Sequence, residues 1–147
     1  MHSDVVALTI SRLKENLANV PWCDVKEIDS LTQINDKVKS STRTPMLYVF
    51  LVEDSPKPDV RGTGAYLQSC EVTIGVVIEQ KSINGKPIDL MPIRKTLRER
   101  LFGWSGDKEF EPYWLGRGRM LGISAGRATW LDQFLTEYTE DQLDYGS

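Results

Sequence analysis

The sequence predicts an α+β fold: a mostly antiparallel sheet with two main helices packed on one face, a two-layer sandwich. Three observations carry this. Apolar residues recur at helical spacing in two segments, one opening the chain and one between strand-like runs. The strand-like runs mostly follow one another through short links, which favours antiparallel neighbours. The chain has 147 residues, which fits one domain, 1–147, able to bury its own core.

Taken in order, Val6, Ile10, Leu13, Leu17 and Val20 form one apolar stripe. The first helix is therefore expected to run until Pro21, with Ser3 or Asp4 capping its start. Residues 25–28 suit a short strand, and Ser30 or Thr32 suits the cap of a short helix through Ile34 and Val38. The run PMLYVFLV, residues 45–52, is short, rich in β formers and apolar throughout. It predicts a strand covered on both faces or placed centrally, opened by Pro45. Residues 53–68 carry two prolines, two glycines and mixed charge. They read as a long loop of the kind that carries function. In SCEVTIGVVIEQKS, residues 69–82, Cys70, Val72, Ile74, Val76 and Ile78 point one way. That alternation predicts a long strand with one face on the core. INGKP then turns the chain.

Asp89 suits the cap of the second main helix, with Pro92 tolerated in its first turn. Leu90, Ile93, Leu97 and Leu101 form its stripe; Arg94, Lys95, Arg98 and Arg100 flank it or face away. Gly103 is the natural stop. Two strands over 115–123 and 127–139 close the fold, joined by Ser124, Ala125 and Gly126 as a three-residue hairpin link.

Composition narrows the function. The net charge is −3 and Lys plus Arg number 18 against 21 acids, which argues against a duplex-DNA binder. Two cysteines without a CxxC exclude a disulfide scaffold or zinc module. No apolar run approaches the ~20 residues of a membrane span, and the charged N-terminal stripe is not a signal peptide. A cytoplasmic folding compartment is expected. His2 is the single histidine and lies at the chain start, so a histidine-based triad or metal site lacks its central group. No cofactor, metal or catalytic set is expected.

The run GRGRMLG, residues 116–122, is glycine-rich but does not have the dinucleotide spacing, and a strand rather than a helix follows it. Its glycines instead suit a twisted or bulged strand. Asp132, Glu137, Glu140 and Asp141 are carboxylates whose ordinary reading is a solvated face. Arg117, Arg119 and Arg127 are brought near one another by the hairpin and are candidates for a protein–protein contact. In WLDQFLTEY, Trp130, Asp132, Phe134, Thr136 and Tyr138 share one side of the strand. Both sides are mixed, which is one reason to expect a subunit partner.

Three stretches together resemble one family. DVVALTISRLKENL at the start, LRERLFGW at 97–104 and GRMLGISAGRATWLDQFLTEY at 118–138 are similar, in order and spacing, to tail terminators of long-tailed bacteriophages. The resemblance covers most of the chain and is weaker over residues 23–82. Leu131 stands where that family often has a second aromatic. The resemblance implies a non-enzymatic virion protein, at the neck end of the tail, assembled in the host cytoplasm. It implies a homo-oligomeric ring, typically of six copies, that caps the tail tube protein, stops its polymerisation and joins the head–tail connector. DNA would pass the lumen without specific binding, and no membrane is involved. Asp54, Lys57, Asp59 and Arg61 in the long loop are then expected contacts to the tube. The alternatives are another neck, head-completion or minor tail protein, and a small ligand-binding domain using the carboxylates and arginines.

Overall fold

A computed structural model describes residues 4–34, 43–57, 67–82, 85–124 and 126–141. Helix α1 spans Val5–Lys14, and Asp4 is its N-cap, its carboxylate accepting from the amides of Val6 and Ala7 at 3.0 and 3.1 Å. The helix stops at Lys14 rather than at Pro21. Asn16 takes a left-handed conformation, φ 54°, which an Asn side chain tolerates better than most. A 3-10 turn over Leu17–Asn19 follows. Leu17 and Val20 still pack on the core, from the turn instead of the helix.

Strand β1 is Asp24–Glu27 and a 3-10 turn follows at Leu31–Gln33. The expected short helix reaches Ile34; its continuation to Val38 lies outside the described residues. Strand β2 is Met46–Pro56, β3 is Leu67–Lys81, helix α2 is Met91–Leu101, β4 is Trp114–Ser124 and β5 is Arg127–Asp141. The sheet order is β1-β2-β3-β5-β4, antiparallel except for the parallel β1–β2 pair. The α+β assignment therefore holds, with that one parallel edge added.

Both helices lie on one face. Val6 and Leu13 of α1 and Ile93, Leu97 and Leu101 of α2 close over Val25, Leu47, Val49, Val72, Ile74, Val76, Ile78 and Phe134. The alternation in β3 thus faces the larger core. The opposite face carries a smaller cluster of Met46, Tyr48, Phe50, Val77 and Leu131 under Ile28 and Ile34. Residues 46–50 are accordingly buried on both sides, whereas Leu51 and Val52 are 47% and 39% exposed.

The expected loop over residues 53–68 is strand at both its ends. Glu53 pairs with Thr73 and Pro56 with Cys70, after a bulge between Leu51 and Glu53, and Leu67 pairs with Asp141. The polar composition hid this end of β2 because it leaves the core: residues 51–57 are exposed, an arm held by the ladder and by side-chain bonds of Asp54 and Lys57. Residues 58–66 of the expected loop lie outside the described residues.

Asp89 caps α2 from one position earlier than expected, accepting from the Met91 amide at 3.0 Å while Leu90 holds the N-cap position. Gly103 ends the helix with φ +79°, where a side chain would be strained. Ser124 pairs with Arg127, so the hairpin link is two residues, not three, with Gly126 at φ +75°.

Candidate functional site

The glycines of β4 have a steric cause. β4 shifts register between Leu115 and Gly118 and between Met120 and Gly122. A Cβ on Gly116 would come within 2.5 Å of Leu135 Cδ1, and one on Gly118 within 2.6 Å of Asp132 Oδ1. Gly122 meets nothing within 4 Å, so crowding explains only the first two.

The space left by Gly118 holds a charged cluster. Asp132, on the helix-covered face of β5, is 2% exposed. Arg94 of α2 donates to it twice, Nε to Oδ2 at 3.0 Å and Nη2 to Oδ1 at 3.1 Å. Trp130 Nε1 donates to Oδ1 at 2.9 Å, and the Arg94 guanidinium lies 4.4 Å from a Trp130 ring centroid. This bidentate, stacked arrangement satisfies a carboxylate that burial would otherwise penalise. The solvated reading of Asp132 is thereby corrected. Burial of the strand under α2 overrides the acidic context of the sequence.

Beside this cluster, α2 and the β4–β5 hairpin bound a groove of about 450 Å³. Met91, Met120 and Ile123 line it at 61%, 43% and 72% exposure. Along the same strand Leu115 is 37% exposed. An apolar strip of this kind on an outermost strand marks an interaction surface more often than a solvated one.

The three candidate arginines are not brought together. Arg117 and Arg119 are exposed on β4, with no ion-pair partner among the described residues. Arg127 sits opposite Ser124 instead. Its Nη1 donates to Glu79 Oε2 at 2.7 Å, and the Glu79 side chain is fully buried. This pair ties the hairpin to the end of β3.

The arm residues are also engaged. Asp54 Oδ2 accepts from the Tyr138 hydroxyl at 2.9 Å. Burial, then this bond to Asp54, pushes the Tyr138 pKa up. Lys57 Nζ lies 2.8 Å from Glu137 Oε2, and the Ser69 hydroxyl donates to the other carboxylate oxygen. Lys57 and Ser69 hold Glu137 below the usual carboxylate range, and Glu137 raises Lys57. Asp59 and Arg61 lie outside the described residues. Among the described residues no group of three or more His, Cys, Asp or Glu is placed to hold a metal ion. Nor is any described helix long and apolar enough to cross a membrane.

Arg94, Met91, Met120 and Ile123 escaped the sequence reading as site residues. The one signal available was Trp130 two residues before Asp132 on the same strand side, with a glycine-rich strand to accommodate both.

A family model described as phage tail terminator protein matches residues 4–143. The chain belongs to the phage tail terminator family. Curated proteins contain no match to it. As a member of a structural family, this tail terminator chain is a component of the virion tail and acts in tail completion and assembly.

Proposed function

We propose that this tail terminator forms a ring, of six copies as the family resemblance implies, on the last ring of the tail tube. The ring stops tube polymerisation by covering the surface on which the next tube ring would add. Its other side provides the joining surface for the head connector at the neck end of the virion, after assembly in the host cytoplasm. The exposed strip of Leu115, Met120 and Ile123 on the outermost strand carries this reading. A subunit that buries it against a different surface of the next copy makes a heterologous contact, which closes into a ring by rotation.

Arg117 and Arg119 flank that strip as polar rim, and Arg127 supports it by holding the hairpin to Glu79. The β2–β3 arm, with Asp54 and Lys57 and with Asp59 and Arg61 in the link beyond, is the contact to the tube. The net charge of −3 suits a lumen that passes DNA without holding it. The test adds purified protein to growing tail tubes and follows tube length by electron microscopy, with light scattering on the free protein. Growth should stop with a ring at the tube end. A neck protein that only joins heads to tails would leave elongation running, and that result refutes the terminator reading.

A further inference from the structure

We propose that the groove between α2 and the β4–β5 hairpin holds residues 142–147, QLDYGS, of a neighbouring copy. This rests on the ring reading and names what one subunit gives to the next.

The groove has an apolar floor of Ile88, Met120, Ile123, Ala128 and Trp130. A second depression of about 600 Å³ shares Met91 and Arg94 with it and continues past Lys95 and Arg98. Arg94 is committed to Asp132. Lys86, Lys95 and Arg98 have no ion-pair partner among the described residues. The surface is thus apolar inside and cationic around.

Residues 142–147 have the opposite character. They carry Asp144, no Lys or Arg, and two large apolar side chains, Leu143 and Tyr145. Spaced by two, these apolar residues share one side of an extended segment. Leu143 and Tyr145 suit the floor, and Asp144 suits the cations around it, Lys86, Lys95 and Arg98.

The segment cannot come from the same copy. Arg127 lies at the groove end of β5 and Asp141 at the far end, where it pairs with Leu67. A strand of 15 residues spans roughly 50 Å, and the residues after Asp141 reach ~20 Å when fully extended. The donor is therefore another molecule. Groove and segment sit at opposite ends of one sheet, which is the geometry a head-to-tail contact requires.

Sedimentation velocity on the full chain and on a variant ending at Asp141 tests this. Truncation should raise the concentration at which the oligomer dissociates about tenfold or more, with the thermal melt of the subunit unchanged. Lys95→Glu with Arg98→Glu should do the same, and adding Asp144→Lys to that double variant should recover part of the loss. If the truncated chain assembles as the full chain does, while Ile123→Asp abolishes assembly, the groove takes another part of the neighbour. The proposal then falls and the ring stands. A full chain that stays monomeric at every concentration, with and without tubes, overturns both.

Discussion

The two ends of the sheet each hold a carboxylate–cation pair on β5, and the pairs differ in what they are worth. At the hairpin end Asp132 meets Arg94 at 3.0 Å, with side chains 3% and 16% exposed. At the arm end Glu137 meets Lys57 at 2.8 Å, with side chains 27% and 45% exposed. The shorter contact is the weaker one. Water screens the arm pair, and a lysine loses more rotamer freedom per bond than a forked guanidinium. The buried pair stands in a medium where neither partner can be removed without stranding the other. Burial, not distance, ranks the two.

The largest expected effect follows from that difference. Arg94→Ala leaves Asp132 buried and should cost about 3–5 kcal/mol of unfolding free energy in a urea titration. A loss below ~1 kcal/mol, the value of an exposed pair, would erase the contrast between the ends.

Tyr113 sharpens the contrast, because it buries a neutral group. Its hydroxyl lies 2.7 Å from that of Thr9, and burial raises its pKa to about 12. The raised value means that stability is intact below the unfolded tyrosine value near 10 and falls as pH rises through 12. The decline should be on the order of 2–3 kcal/mol. Denaturant midpoints of Tyr113→Phe should show a shallower alkaline slope, the remainder coming from Tyr138, whose pKa is also raised; an unchanged slope would place its origin elsewhere.

Gly118→Ala tests how rigid the hairpin end is. The added Cβ would press on Asp132 Oδ1, which two of the carboxylate's three donors hold in place. Overpacking of this kind costs about 1–3 kcal/mol, and calorimetry should register it as a lower Tm. A neutral outcome would show that the carboxylate moves freely.

The smallest effect belongs to the arm. Glu137 is held below its ordinary pKa, so its contribution is present above the usual carboxylate range and is lost as pH falls through the lowered value. Lys57→Ala should leave the melting midpoint at pH 7 within experimental error. A shift matching that of Arg94→Ala would contradict the ranking of the two ends.

Much of the fold was readable because local rules and tertiary structure agree. The stripe of α2, the alternation of β3, Gly103 and the Gly126 turn each follow from a short stretch of chain. The site was less readable. Arg94 and Asp132 are 38 positions apart, and their pairing depends on which strand α2 covers. Glu79 is likewise buried with Arg127, a partner 48 positions away that no local pattern indicates. Residues 51–56 of β2 are exposed and lack an apolar alternation, so periodicity had no signal to give there. The parallel β1–β2 pair depends on a long-range crossover that neither strand encodes locally.

Strand β3 is bonded along its length to β5 on one side and to β2 on the other. A force applied along its axis, between the hairpin end and the arm end, loads these two ladders in shear. Their hydrogen bonds would then share the strain together instead of opening one after another. The subunit should therefore resist force more in that direction than across it, where the ladders could be peeled bond by bond. Single-molecule pulling in the two directions would measure the ratio.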